Sequence, residues 1–274
     1  MKPPFAYAGG KTRLADRIVS LMPAHGHYVE PFAGSLSVLL AKPLSPAETV
    51  NDVDGDLVCF WRVLRDQTDD LVQICAATPH SRRELERARE TPRGVAVSSL
   101  ERARRTWVRI SQSRGGTLRT TTGWRFYAAM NGVRNTSMPD TLRAYVDRME
   151  AVAERLSHVS LECDSYEEIL DRYDDSATLF YCDPPYLGST RSTEHYAAEM
   201  RSEAEHVQLL DRINALQGMV LLSGYPSPLY EKHLTDWQQV TFRSKTQNRH
   251  ATEVVWLNPA AAERASHPML EVAR

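Results

Sequence analysis

The sequence predicts an α/β fold whose open, mainly parallel sheet is interrupted by a mainly helical insert. Three observations carry this reading. Short uncharged apolar runs end abruptly in carboxylates, as Leu179-Phe180-Tyr181-Cys182 does at Asp183, the pattern of strands buried on both faces. A glycine turn, Ala33-Gly34, joins one such run to apolar residues that lead to the next. The α/β rhythm then stops near Arg62 and resumes near Arg148, and the stretch between is rich in arginine.

Composition bounds the answer. With 274 residues, 42% of them hydrophobic, the chain can build one large domain or a core domain with an insert. No apolar run approaches the roughly 18 residues needed to cross a bilayer, and the N-terminus lacks a signal-peptide pattern, so a cytoplasmic protein with no membrane partner is expected. Cys59, Cys75, Cys163 and Cys182 are far apart, which speaks against a disulfide framework or zinc site; His25 and His27 lack partners at ligand spacing, and no metal is expected. The net charge of −2 hides a segregation: Arg62 to Arg148 holds 17 Arg, no Lys and 9 acidic residues, a charge of +8, which leaves −10 on the remainder. A polyanionic partner for this segment follows.

The elements are justified in turn. Gly9-Gly10-Lys11 feeds a helical pattern at Leu14, Ile18, Leu21 and Met22; free N–H groups and an ammonium at that turn suit a carboxylate or phosphate, and a plain helix entry would look the same. Tyr28 to Ser35, with Leu36, Val38, Leu39 and Leu40 after it, reads as strand, glycine turn, helix. The next strand ends at Asn51-Asp52, 18 residues beyond Gly34. An acid at about that offset accepts hydrogen bonds from ribose hydroxyls. No full Gly-x-Gly-x-x-Gly exists, so a nucleoside ligand without phosphates, such as S-adenosylmethionine, fits better than a dinucleotide.

Helical patterns at Ser81–Glu90 and Ser99–Ser111 open the insert, followed by a Gly, Thr and Arg-rich loop from Arg114 to Arg125. Trp107, Trp124, Phe126 and Tyr127 among the arginines serve core packing or base contacts. Asn131 to Thr136 forms a turn with base- and phosphate-reading groups. A helix with Leu142, Tyr145, Val146, Met149, Val152 and Leu156 on one stripe brings the chain back to the sheet. Strands follow at Val159–Cys163, ending in Asp164-Ser165, at Leu179–Cys182, at Met219–Leu222 and at Glu253–Leu257, with a helix around Val207 to Leu216. Two prolines after Asp183 hold that carboxylate in a stiff extended turn at a strand's carboxyl end, where open α/β sheets keep their sites.

With Ala8-Gly9-Gly10-Lys11, Glu30-Pro31-Phe32-Ala33-Gly34, Asn51-Asp52 and Asp183-Pro184-Pro185-Tyr186 in this order, the chain resembles the DNA adenine methylase family, the α-class amino-methyltransferases. The likeness covers about residues 3–61 and 140–258, including Ser223-Gly224-Tyr225 and Thr252-Glu253-Val254-Val255-Trp256; Ser35 stands where the family often has a second glycine. The resemblance implies a Rossmann-like methyltransferase sheet, with a catalytic domain of residues 1–61 and 149–274 and a target-recognition domain of residues 62–148. It further implies that Tyr7, Ala8, Gly9 and Lys11 hold the methionine end of S-adenosylmethionine. Pro31, Phe32, Ala33 and Gly34 would line the cofactor, Asp52 hold its ribose, and Asp164 and Ser165 its adenine, while Asp183, beside the cofactor, is catalytic with Pro184, Pro185 and Tyr186. The implied partner is double-stranded DNA, met by Arg114, Arg119, Arg125, Asn131, Arg134 and Asn135, with Arg102, Arg105 and Arg109 on phosphates. No obligatory protein partner is evident.

The chemistry needs these residue types. An exocyclic amino lone pair is delocalised into its ring, and acceptors on the N–H groups localise it for attack on a sulfonium methyl; Asp183 and the Pro184 carbonyl provide such acceptors, and Tyr186 a stacking face for a flipped base. Cytosine C5 chemistry needs a nucleophilic Cys, and Cys182 closes a buried strand. N6 of adenine in DNA is the expected target. Cytosine N4, an RNA adenine and a catalytically silent DNA-binding regulator are the alternatives.

Overall fold

The structure, a computed structural model, describes residues 1–90, 96–116, 118, 122–127, 137–187, 200, 202–245 and 250–265. The first part of the chain runs α1 (Ala15–Val19), β1 (His27–Glu30), β2 (Ala47–Asn51), α2 (Gly55–Asp66), α3 (Thr68–Ala77), α4 (Arg82–Arg89) and α5 (Ser99–Gln112). The second runs α6 (Met138–Val146), α7 (Met149–Leu156), β3 (Ser160–Glu162), α8 (Tyr166–Tyr173), β4 (Thr178–Cys182), α9 (Glu203–Asn214), β5 (Met219–Gly224), α10 (Pro228–His233), β6 (Gln238–Lys245), β7 (His250–Leu257) and α11 (Pro259–Arg264). Among the described residues the strands form one seven-stranded sheet of order β3-β2-β1-β4-β5-β7-β6. All neighbours pair parallel except β7, which is antiparallel to β5 and β6. The order reverses between β1 and β4, and the crevice at their carboxyl ends is where such a sheet can take a ligand.

Side chains alternate across this sheet. Tyr28, Leu179, Tyr181, Met219, Leu221, Val255 and Leu257 face one apolar cluster, and Val29, Phe180, Cys182, Val220, Leu222, Val254 and Trp256 face the other. Both faces are covered, which is why the central strands read as continuous apolar runs. The second face receives α8 and α9 through Ile169, Leu170, Leu209, Leu210 and Ile213. The first receives α2, α5 and α7, and its cluster continues without a break into Leu71, Cys75, Leu85 and Trp107. The insert helices therefore pack on the sheet through one shared core. Two further ties reach the N-terminal segment: the Trp107 indole N–H donates to the Pro4 carbonyl at 3.1 Å and Arg148 donates to the Pro3 carbonyl at 3.0 Å.

The structure departs from the sequence reading at three places. After Gly34 comes a chain of turns to Lys42, with no helix, because Leu36 takes φ 56° to bury its side chain completely and short bonds such as Leu36 N–H to Ala33 O and Ala41 N–H to Val38 O replace a helical ladder. The single helix expected around Leu142 to Leu156 breaks into α6 and α7 at Asp147-Arg148, the point where Arg148 turns to Pro3. Helix α2 begins at Gly55, capped by the Asp54 carboxylate on the N–H groups of Asp56 and Leu57, and runs past Arg62, where the rhythm was expected to stop.

Trp107 is fully buried and its indole satisfies a buried carbonyl. Trp107→Ala should lower stability by about 3 to 5 kcal/mol, from cavity formation and the orphaned Pro4 oxygen. Chemical denaturation with an unchanged slope is the measurement.

Candidate active site

Asp183 follows β4 directly and meets Lys11 from the N-terminal turn: the Lys11 ammonium lies 2.8 Å from both carboxylate oxygens of Asp183. It also donates to the Gly9 carbonyl at 2.9 Å and lies 3.2 Å from Glu253 Oε1 on β7. Lys11 is only 5% exposed, so its charge depends on these partners. The ammonium sits 4.8 Å above the Tyr186 ring, whose hydroxyl donates to Glu253 and whose edge meets Tyr225 at a centroid distance of 4.5 Å. Burial, then the charges of Asp183 and Glu253, hold the Tyr186 phenol well above its usual range, so it stays a donor.

Glu30 ends β1 next to this cluster. Burial pushes its carboxyl up to about 8, against the hydrogen bonds it accepts from the Tyr28 hydroxyl at 2.6 Å and the Leu39 N–H, with the Asp183 charge adding to the rise. At neutral pH Glu30 is protonated and adds no charge beside Asp183.

A cavity of about 290 Å³ opens from this cluster along the carboxyl ends of β1, β2 and β3. Every residue expected at the cofactor lines it: Tyr7, Ala8, Gly9 and Lys11 on one wall, Pro31 to Gly34 on the next, and Asp52, Asp164, Ser165 and Asp183 around the rest. Of the catalytic quartet Pro185 also lines it, whereas Tyr186 belongs to the cluster behind Asp183. Asp52 receives the Gly34 N–H on one oxygen and the Asp54 N–H on the other, both at 2.9 Å, leaving a lone pair on each toward the cavity. Burial raises its carboxyl to about 6. Gly34 itself has φ 49°, and a side chain there would press on the Tyr7 ring at 3.4 Å.

Residues that sequence reasoning passed over complete the wall. Asn51 clasps the Asp164 backbone, its Nδ2 donating to Asp164 O at 3.0 Å and its Oδ1 accepting from Asp164 N–H at 2.8 Å. The Asp164 carboxylate turns to the rim, where Arg172 at 3.0 Å and the Ser165 N–H hold it below the usual range. Tyr166 packs on Phe32 with centroids 5.3 Å apart, an aromatic surface at the cavity end beside Asp164. Only the position of Tyr166 after a strand-end acid could have signalled it.

The insert touches this cavity. Arg114 N–H bonds Gly123 O and Arg125 N–H bonds Gln112 O, closing a hairpin whose Gly116 accepts a 2.9 Å bond from Ala8 N–H. Gly116 has φ 64°, and a Cβ there would stand 2.2 Å from the Ala6 carbonyl oxygen. Guanidiniums lie over rings on the hairpin, Arg114 over Phe126 and Arg125 over Tyr127, each at 5.7 Å. Arg102, Arg105 and Arg109, expected on phosphates, are ion-paired within the protein: Arg102 and Arg109 with Asp56, Arg105 with Glu101. Arg119, Asn131, Arg134 and Asn135 lie outside the described residues. Cys182 is completely buried and its thiol is pushed up by desolvation, which removes it as a nucleophile. Among the described residues no cluster of metal-ligating side chains occurs and no helix is long and apolar enough to cross a membrane.

An antiparallel β7 slotted between β5 and β6, on a sheet that otherwise runs parallel, gives a Rossmann-like α/β sheet with its crevice at the carboxyl ends of β1 and β4. The sequence narrows the class. Matching the family of D12 class N6 adenine-specific DNA methyltransferases over residues 7–241, the chain belongs to that family. DNA adenine methylase of Escherichia coli (strain K12) is 27% identical over 190 residues, 66% of this chain and 63% of that protein. The aligned part thus spans just under two thirds of that relative's length. DNA adenine methylase of Serratia marcescens is 25% identical over 246 residues, 85% of each chain, and the type II methyltransferase M.MjaIII of Methanocaldococcus jannaschii 22% identical over 231 residues, 76% of this chain and 78% of that one. Among solved structures, a methyltransferase from Streptococcus mutans overlaps loosely, at a TM-score of 0.37 and 8% identity over 89% of this chain and 95% of that one.

Two outcomes follow from this geometry. Gly116→Ala should displace the Ala6 to Ala8 turn and weaken S-adenosylmethionine binding by about tenfold, read by calorimetry, since 2.2 Å from a backbone oxygen leaves no room for adjustment. If the Asp52 carboxylate must be ionised to accept from the ribose, the same affinity should be flat above pH 7 and fall about tenfold per pH unit once below about 6, where the raised carboxyl takes up its proton. Asp52→Asn should flatten that dependence.

Proposed function

We propose that the chain transfers a methyl group from S-adenosylmethionine to N6 of an adenine flipped out of duplex DNA. The observation that carries this is the shared cavity: one wall offers a ribose-binding acid and an aromatic surface, and the other ends at Asp183 in its rigid Asp-Pro-Pro-Tyr turn. The residues fit the cofactor. Asp52 has a free lone pair on each oxygen for the ribose hydroxyls, Phe32 and Tyr166 present a surface for the adenine, and the turn from Tyr7 to Lys11 closes the end where the methionine group would lie. When bound, S-adenosylmethionine supplies an electrophilic methyl on a sulfonium.

The chain's own groups do the rest. Asp183 and the Pro184 carbonyl accept the two amino protons of the target base, which localises the nitrogen lone pair, and the proton released after transfer passes to the Asp183 carboxylate. Tyr186, backed by Tyr225 and Glu253, holds the base plane. The hairpin with Arg114 and Arg125, together with Arg119, Asn131, Arg134 and Asn135, contacts the duplex, a guanidinium fork reaching guanine O6 and N7 where it enters the major groove. The Asp183 chemistry serves cytosine N4 equally well; family membership favours adenine.

Expression in a host lacking adenine methylation, followed by mapping of modified bases across its DNA, tests the reading. N6-methyladenine at one recurring short sequence is expected, and N4-methylcytosine or an unmodified genome would overturn it. Asp183→Ala should cut methyl transfer by about 10² to 10³ while the fold is retained; near wild-type turnover would remove Asp183 from the mechanism.

A further inference from the structure

The motif around Glu253 stands on β7, away from the turns that carry the acids already discussed, yet its carboxylate reaches into the cluster behind Asp183. Its Oε1 lies 3.2 Å from Lys11 Nζ and accepts the Tyr186 hydroxyl, and the side chain is 12% exposed. One ammonium is thus shared between two carboxylates. Counting the described residues, Lys11, Asp183 and Glu253 together carry a charge of −1, and Glu30, neutral by burial, does not change it.

We propose that Glu253 is a positioning residue for methyl transfer: it draws Lys11 away from exclusive pairing with Asp183 and fixes the Tyr186 ring through its hydroxyl. This rests on the adenine methyltransferase reading above. In the reaction the amino nitrogen forms its bond to the methyl carbon as the carbon–sulfur bond breaks with its electron pair going to sulfur. Positive charge moves from sulfur to nitrogen and leaves as a proton to Asp183. An ammonium held by Asp183 alone would neutralise the carboxylate that must accept this charge, and both oxygens are within its reach. A second carboxylate on the same ammonium restores the negative potential at the nitrogen, in a site where charges act at low effective dielectric. The same oxygen, by accepting from the phenol, sets the ring that Tyr225 meets edge to face.

Two variants separate the charge from the hydrogen bond. Glu253→Gln keeps an acceptor for Tyr186 and removes the charge; Glu253→Ala removes both. The readouts are single-turnover methyl transfer, calorimetric affinity for S-adenosylmethionine, thermal midpoint, and fluorescence of a duplex carrying 2-aminopurine at the mapped target adenine. Glu253→Gln should slow transfer by about tenfold to a hundredfold with cofactor affinity and duplex fluorescence unchanged. Glu253→Ala should in addition lose most of the fluorescence rise, and Tyr186→Phe should add little further loss to it, since the two groups act as a unit. Wild-type transfer rates in Glu253→Gln, or a full fluorescence rise in Glu253→Ala, would overturn the proposal while leaving the methyltransferase reading intact. Failure of the wild-type protein to transfer a methyl group would overturn that reading itself, and the proposal with it.

Discussion

A single buried ammonium holds the active cavity together. Lys11 and Asp183 are 172 residues apart, one on the N-terminal turn and the other at the end of β4, and their 2.8 Å contacts bring the N-terminal wall of the cavity and the Asp-Pro-Pro-Tyr turn to one place. Desolvating such charges costs several kcal/mol each unless partners are present, and among the described residues Gly9 O and Glu253 also engage the ammonium. The sheet makes this possible. Because the strand order reverses between β1 and β4, the crevice lies where Glu30 and Asp183 emerge side by side, and β7 comes near enough on the far side of β5 to contribute Glu253. Take away the lysine and Asp183 and Glu253 lose the ammonium they share.

Charge also shows how a correct count can mislead. The +8 of residues 62–148 pointed to a polyanion, but several of those arginines are spent inside the protein. Arg104, 12% exposed, pairs with Glu84 and Glu101 at 2.7 and 2.6 Å, and its release would strand two acids. Arg102 differs: at 48% exposure its pair with Asp56 is worth about 0.2 to 1 kcal/mol, so little holds it to that partner. Among the described residues the hairpin arginines Arg114 and Arg125 pair with no acid; their guanidiniums rest on Phe126 and Tyr127, and Phe126 is 47% exposed.

What was legible in the sequence follows the same division between local and long-range physics. Strands β4 and β5 were readable because burial on both faces leaves an uninterrupted apolar run, and Asp183 because it closes one, whereas Asp52 and Asp164 follow the mixed strands β2 and β3 and were marked by their place at strand ends. The turns after Gly34 were not, since Leu36 adopts φ 56° for a burial that only the tertiary fold rewards. The α/β rhythm was expected to stop near Arg62, yet α2 runs through to Asp66 with Phe60, Trp61, Val63 and Leu64 all buried in it. The clasp from Asn51 to Asp164 spans 113 residues and the reach of Lys11 to Asp183 spans 172, and no local pattern announces such a partner.

The hairpin and the cavity wall are joined by a backbone hydrogen bond from Ala8 N–H to Gly116 O, which constrains how the proposed recognition and chemistry can communicate. Gly116 holds the Ala8 N–H and rests on Ala6, the Tyr7 ring lies against Gly34, and Gly34 in turn donates to Asp52. Each contact joins main chain to main chain or to a partly buried side chain, so a shift at one is felt at the next through a hydrogen bond or a packing contact. If DNA docks on the hairpin as proposed, a shift of Gly116 is passed to the turn from Tyr7 to Lys11 that lines the cavity. Linkage makes the effect reciprocal: whatever free energy DNA binding adds to cofactor binding, cofactor binding adds to DNA binding. A single glycine carbonyl is the narrowest point of that path, and the Arg-rich insert could not be exchanged for another without a residue able to occupy the same 64° φ against Ala6.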